Sequence, residues 1–438
     1  MRARRPLVAV AAAVLAAGAL AAAGCGGSQR PLRIGVVVDC VGVNRPLENA
    51  ELAGAELPLV QRGARVKGDD ALGGVGPATI AGRKVELVSA CTELYEFSTL
   101  TAAMRSLVER DHVDVVVAGG SGADDVTVRD VAALYPRVSF LPVVHGPREV
   151  TLLHAPPNVY RPSGDHGQGV AGLGTYAYRT LGWRRAAVAF SQWDAGWGER
   201  DAFMAEFCAL GGRVTAQVGP AAFAPSGRDV AQVPRDVDGV AVFTQALFTP
   251  AGFVDRLSRR LRDPRRIVVG PTTVDDLDLL RATGPALAGA TGASFLPAVG
   301  SSRALRSYLA AIHRTFPGVT AHTARSDLVL GYRTAVETVA RALARAGGDP
   351  ARLPAALARV STDLPGGAER LDARHSAVVA SSIVRIGRPA RAGGDPTLTQ
   401  IGTVSGVDQS IGGLLPAQLS PSTRQTACRR APPPPWAR

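Results

Sequence analysis

Continuous apolar runs alternate with amphipathic stretches along this chain, and the alternation occurs twice. In the first series, residues 32–38 (LRIGVVV), 84–89, 113–117 and 138–144 are predicted strands. Between them, 47–60, 99–110 and 125–134 carry helical spacing; Leu100, Ala103, Met104, Leu107 and Val108 share one face of the middle segment. Pro58 should kink or shorten the first of these helices. Strands that are apolar throughout, separated by amphipathic helices, imply a parallel sheet covered on both faces. A second series starts beyond Asn158. It reads as helix 167–181, strand 185–190, loop 191–197, helix 199–210, and strands 214–218, 239–243 and 267–269, with helices at 249–261 and 275–281. The longest helical stretch is 321–346, stopped by Gly347 and Gly348, and a late strand falls at 382–386. From Gly387 on, the chain is rich in Gly, Pro and Ser and is expected to be largely irregular. The fold class is therefore α/β, with two doubly wound parallel-sheet lobes.

The N-terminus reads Met1-Arg-Ala-Arg-Arg, then an apolar run over 7–23, then Gly24-Cys25. A basic start, a short apolar core and small residues at the exit make a secretory signal. An uncleaved anchor helix is the alternative, but the Ala-rich run is at the lower limit of a membrane span. Ala22, Ala23 and Gly24 before Cys25 resemble a bacterial lipobox, departing from it at Ala22, where Leu is preferred. That resemblance implies a signal peptide over 1–24 and a lipidated tether over 25–31, with the Cys25 thiol joined to diacylglycerol. More than one acyl chain gives stable anchoring. The protein is then expected on the outer face of the cell membrane as a lipoprotein.

The 438 residues suffice for two or three domains, and 46% hydrophobic with 20% charged residues is a globular composition. Loss of Arg2, Arg4 and Arg5 with the signal takes the formal charge from +12 to +9. The basic residues are scattered and interleave with no aromatic patch, which argues against a nucleic-acid partner. Cys40, Cys91, Cys208 and Cys428 remain beside Cys25. An even number in an exported chain suggests disulfides, with three possible connectivities; four free, partly buried thiols are the alternative.

Ligands of open parallel sheets bind outside the carboxyl ends of the strands. Those ends fall at Asp39–Val41, Cys91–Glu93, Gly119–Gly122, Val144–Gly146, Ser191–Trp197, Thr244–Phe248 and Gly270–Thr273. Gly120 and Ser121 open a helix, where exposed amide protons suit an anion or carboxylate. Trp193 and Trp197 can wall an apolar cavity, whereas a lone His such as His145 is usually structural. No G-x-S-x-G elbow, Walker loop or H-E-x-x-H occurs, and the seven His are dispersed. The paired acids Asp124-Asp125 and Asp275-Asp276 are adjacent and so diverge. These features point away from an enzyme and require no metal or cofactor.

Ile34-Gly-Val-Val-Val, Ala53-Gly-Ala-Glu56, Ile80-Ala-Gly-Arg-Lys-Val-Glu-Leu87, Val115 to Ser121, and Gly331-Tyr332 occur in that order. Together, over residues 32–388, they resemble the type I periplasmic binding proteins of the leucine/isoleucine/valine-binding kind, solute receptors of ABC importers. The resemblance implies two lobes joined by three crossovers. Lobe 1 would take 32–157 plus 298–375, lobe 2 would take 158–297 plus 376–388, and 389–438 would form a Pro/Gly-rich tail. The family's serine loop falls on Gly120, Ser121 and Gly122, and the next loop on Val144, His145 and Gly146. An aromatic falls near Trp197, with Trp193 beside it, and a further loop falls on Thr244, Gln245 and Phe248. The family's amine-binding acid falls near Thr272 or Thr273, with Asp275 and Asp276 just beyond. Lack of a carboxylate at that place favours a small organic solute over a branched-chain amino acid. Cys40 and Cys91 would end neighbouring strands and bond, leaving Cys208 and Cys428 to staple the tail to lobe 2. The implied partners are a small-molecule solute and an ABC permease–ATPase complex; a sensor of the same fold is the alternative function.

Overall fold

A computed structural model describes residues 30–219, 230–244, 251–362, 364–391, 394–416 and 428–437. Cys25, the expected signal peptide, Gln245 and Phe248 lie outside the described residues. The first sheet contains β1 (Leu32–Val41), β2 (Ala78–Ile80), β3 (Arg83–Glu93), β4 (Val115–Ala118) and β5 (Ser139–Pro142) in the order β2-β3-β1-β4-β5. All pairs are parallel except β2 with β3. Val36, Val37 and Val38 of the central β1 are buried, as expected for a strand covered on both faces.

Three helices connect these strands: α1 (Glu48–Val60), α2 (Phe97–Glu109) and α3 (Gly122–Ala132). Pro58 lies in the last turn of α1, so its missing N–H costs one helical bond and the helix ends two residues later.

The second sheet is built from β6 (Arg185–Phe190), β7 (Arg213–Val218), β8 (Gly239–Phe243), β9 (Ile267–Val269), β10 (Thr291–Ser294), β11 (Arg370–Leu371) and β12 (Ala377–Pro389). Its order is β11-β12-β10-β9-β8-β6-β7, and β13 (Pro396–Val407) pairs with β12. The longer helices here are α4 (Leu173–Arg179), α5 (Asp194–Ala209), α6 (Ala251–Leu261) and α7 (Leu277–Leu287), with a single turn at Pro271–Val274 before the last. The predicted helix over 167–181 is broken at Gly172, whose φ is +90° and where an added Cβ would meet Val404 at 2.7 Å. The predicted loop over 191–197 is partly helical, since α5 starts at Asp194 and carries Trp197 in its first turn.

The chain crosses between the sheets three times: between β5 and β6, after β10, and before β11. Helices α8 (Arg303–Thr315) and α9 (Asp327–Arg345) return to the first sheet, where α9 packs closely on α1. A Cβ on Gly54 would lie 2.4 Å from the Val329 carbonyl oxygen, so the missing side chain permits that approach. The predicted helix over 321–346 divides at Ser326, whose hydroxyl accepts from Val329 N–H and caps α9. The first and third crossovers are tied where Ala368 N–H donates to the Pro162 carbonyl at 3.1 Å.

The segment expected to be an irregular tail contains β13. Its burial alternates, and antiparallel backbone pairing to β12 holds it, so composition alone did not reveal a strand. Beyond β13, Ile411 and Leu415 are buried, and Trp436 Nε1 donates to Glu206 at 2.9 Å. Disulfides join Cys40 to Cys91 and Cys208 to Cys428, with Cα separations of 5.4 and 5.2 Å.

Candidate ligand-binding cleft

Two cavities lie between the lobes. The first, of about 380 Å3, takes Tyr95, Gly120, Val144 and His145 from the first lobe and Thr272, Asp275 and Phe295 from the second. The N-terminal end of α9 adds Ser326 and Asp327. The second, of about 570 Å3, is walled by Gly146, Trp193 and Trp197 with Phe97, Arg148 and Asp194. His166 borders both.

The chain reverses at Gly119, with φ +111°, just after β4. Ser121 then spends its hydroxyl on capping α3, accepting from Asp124 N–H at 3.2 Å. Gly122 faces the other lobe: a Cβ there would fall 1.7 Å from Asp194 Oδ2. One Asp194 oxygen accepts from Ala195 N–H at 2.8 Å, and the other has no hydrogen-bond partner among the described residues. Burial pushes this carboxyl up to about 6. Burial does the same to Asp124, to about 6, and raises Asp125 well above the usual range.

At the end of β5, the His145 imidazole bonds through Nδ1 to the Asp327 carboxylate. Its ring stacks on Phe295 with centroids 3.5 Å apart and planes 15° apart. Burial acts to raise Asp327, but His145 beside it outweighs that and holds the carboxyl below its ordinary value. The Asp327 side chain keeps 35% of its surface accessible. Asp275 accepts from Phe295 N–H at 2.9 Å and from the Ser294 hydroxyl, and burial pushes it up to about 6.

Behind Thr272 stands Glu199 of α5. Thr272 donates its N–H and its hydroxyl to the two Glu199 oxygens at 2.9 and 2.8 Å. Glu199 is fully buried and pushed up to about 8 by that burial. A carboxyl group thus stands behind Thr272, contributed by another element and outside the lining of both cavities.

The expected site residues divide. Gly120, Val144, His145 and Thr272 line the first cavity, and Gly146, Trp193 and Trp197 line the second. Ser121, Gly122 and Thr273 line neither. Thr273 is fully buried, with its hydroxyl donating to the Thr244 carbonyl at 3.2 Å, so it serves the second lobe's interior. The sequence reading missed Phe295, Asp327 and Glu199. Only Asp327 left a local signal, an acid directly after a capping serine. Among the described residues, no group of three or more His, Cys, Asp or Glu is arranged to hold a metal ion, and no helix is long and apolar enough to cross a membrane.

The sequence profile of a periplasmic binding protein family matches residues 31–394. An ABC transporter substrate-binding protein from Sphaerobacter thermophilus shares 21% identity and a TM-score of 0.74, covering 86% of this chain and 99% of that one. A solute-binding protein of an ABC transporter from Rhodopseudomonas palustris BisB5, solved with 3,4-dihydroxybenzoic acid, shares 20% identity and a TM-score of 0.69, covering 86% and 98%. A leucine-binding protein from Thermotoga maritima shares 17% identity and a TM-score of 0.63, covering 85% and 99%. At these identities the likeness is one of fold. No curated protein matches the chain. With the profile running through both lobes and all three crossovers, the chain belongs to the type I periplasmic binding proteins.

Proposed function

We propose that this protein captures a small organic solute between its lobes, outside the cytoplasmic membrane, and delivers it to an ABC importer. The first interlobe cavity carries the reading. Its walls come from both lobes, so a ligand touching both favours the closed arrangement over the open one. Capture of this kind asks for no chemistry. The solved relatives support it, since their descriptions include ABC-transporter proteins holding small aromatic acids and a leucine-binding protein. Lipidation at Cys25 would keep the receptor beside its permease.

A thermal-shift screen of the purified protein tests capture. A stabilising compound recovered unchanged supports it, and consumption of the compound counts against it. For the anchor, Cys25→Ala should move the protein from the membrane fraction to the soluble one; retention in the membrane fraction rejects lipidation and leaves the binding fold standing.

A further inference from the structure

The first cavity is acidic in a chain whose formal charge is +12. Asp275, Asp276, Asp278 and Asp327 line it, and no Arg or Lys does. Its three histidines offset only part of that charge. His145 is committed to Asp327, and His322 lies 3.0 Å from Asp278 at the mouth. Burial pushes His166 down to about 3 and so keeps it uncharged.

The nearest guanidinium groups lie outside the lining. Arg161 donates to the Gly146 and Pro147 carbonyls. Arg281 pairs with Asp395 at 2.7 Å and more distantly with Asp278 at 3.8 Å, outside the lining. Arg325 is half-buried, is not part of the lining, and offsets Asp275 and Asp395 from behind. The place where an anionic ligand would meet the α3 N-terminus is filled from within: Asp194 of the second lobe lies against Gly122. A carboxylate ligand would therefore enter a field of like charge. Burying an anion beside an excess of like charges is costly, while an opposite charge relieves the carboxylates already there. Phe295 from the second lobe and Tyr95 from the first bring aromatic rings to the same cavity, which suits a cation with a hydrocarbon body.

We infer that the cleft takes a positively charged organic solute, a compact amine or guanidine, and rejects free carboxylates such as benzoates. The assignment rests on the capture reading and narrows it. In the complex, the ligand cation lies between Asp275 and Asp327, with its carbon skeleton against Phe295. The ionised form of Asp275 is the binding form, so affinity rises as pH rises from 5 to 7.

Isothermal titration of the purified protein with putrescine, agmatine and choline, against benzoate and 4-hydroxybenzoate, tests it. At least one cation should bind, and its Kd should weaken tenfold or more in both Asp275→Asn and Asp327→Asn. Ligand-free melting temperatures confirm that each variant folds; if Asp327→Asn does not, Asp275→Asn alone decides. Cation binding unchanged in the folded variants overturns the location. Benzoate binding without cation binding overturns the ligand class and leaves solute capture intact. Binding by neither panel overturns the ligand class and counts against capture as well.

Discussion

Glu51 is fully buried on α1, with one carboxylate oxygen accepting from Asp39 N–H at 2.9 Å and the other without a hydrogen-bond partner among the described residues. Burial, reinforced by the Asp39 carboxylate, pushes it up to about 9, and burial takes Glu56 and Glu199 to about 8. A carboxyl whose folded value lies above its unfolded one holds more protons folded than unfolded across that interval. Stability then falls as pH rises, by up to about 1.4 kcal/mol per pH unit for each group. The urea midpoint should drop between pH 5.5 and 8.5, and Glu51→Gln should flatten that slope. A midpoint equally steep in the variant would mean that Glu51 is not the proton carrier. At this scale, Ser121 shows both what could be read and what could not. Its place at a helix start is local in sequence, whereas the Asp194 carboxylate across from Gly122 comes from the other lobe.

At the scale of elements, the segment after β12 ties the lobes together. Gln409 accepts from the Thr151 hydroxyl at 2.8 Å and donates to Asp165 at 3.1 Å, while Arg148 donates to the Pro416 carbonyl at 2.6 Å. Arg148 and Thr151 follow β5 in the first lobe; Cys208, bonded to Cys428, lies on α5 of the second. Closing a loop of 220 residues is worth roughly 5 kcal/mol in the chain-entropy estimate. Cys428→Ser should lower the melting temperature and speed proteolytic clipping near residue 428, read by mass spectrometry. Clipping at the wild-type rate would show that Trp436 and its neighbours hold the segment without the disulfide.

The whole molecule sets an interlobe contact rich in carboxylates against its hinges. Asp194 of the second lobe faces Asp124 and Glu149 of the first, with Arg161 as the opposing charge. Burial between the lobes pushes Asp194 and Asp124 up to about 6, and opening would return them toward ordinary values. The closed arrangement thus holds more protons, and lowering the pH through 6 favours it. Small-angle scattering of the ligand-free protein should show a smaller radius of gyration at pH 5 than at pH 8. An unchanged radius would mean that this contact does not govern opening.

Much of the architecture is local and therefore legible. A fully apolar run such as Val115–Ala118 suits a strand buried on both faces, and the order of such runs with helical spacing between them leads to two parallel sheets. The strand ends then place Gly120, Val144 and His145 at the cleft. Other features join segments that no local period connects. His145 meets Asp327 from 182 residues away, and Glu199 reaches behind Thr272 from 73 away. β13 exists through backbone bonds to β12 more than through an apolar pattern of its own. Periodicity records which face of an element is buried; which charge ends up opposite which is settled when the lobes pack, because only then are water and its screening removed from between them.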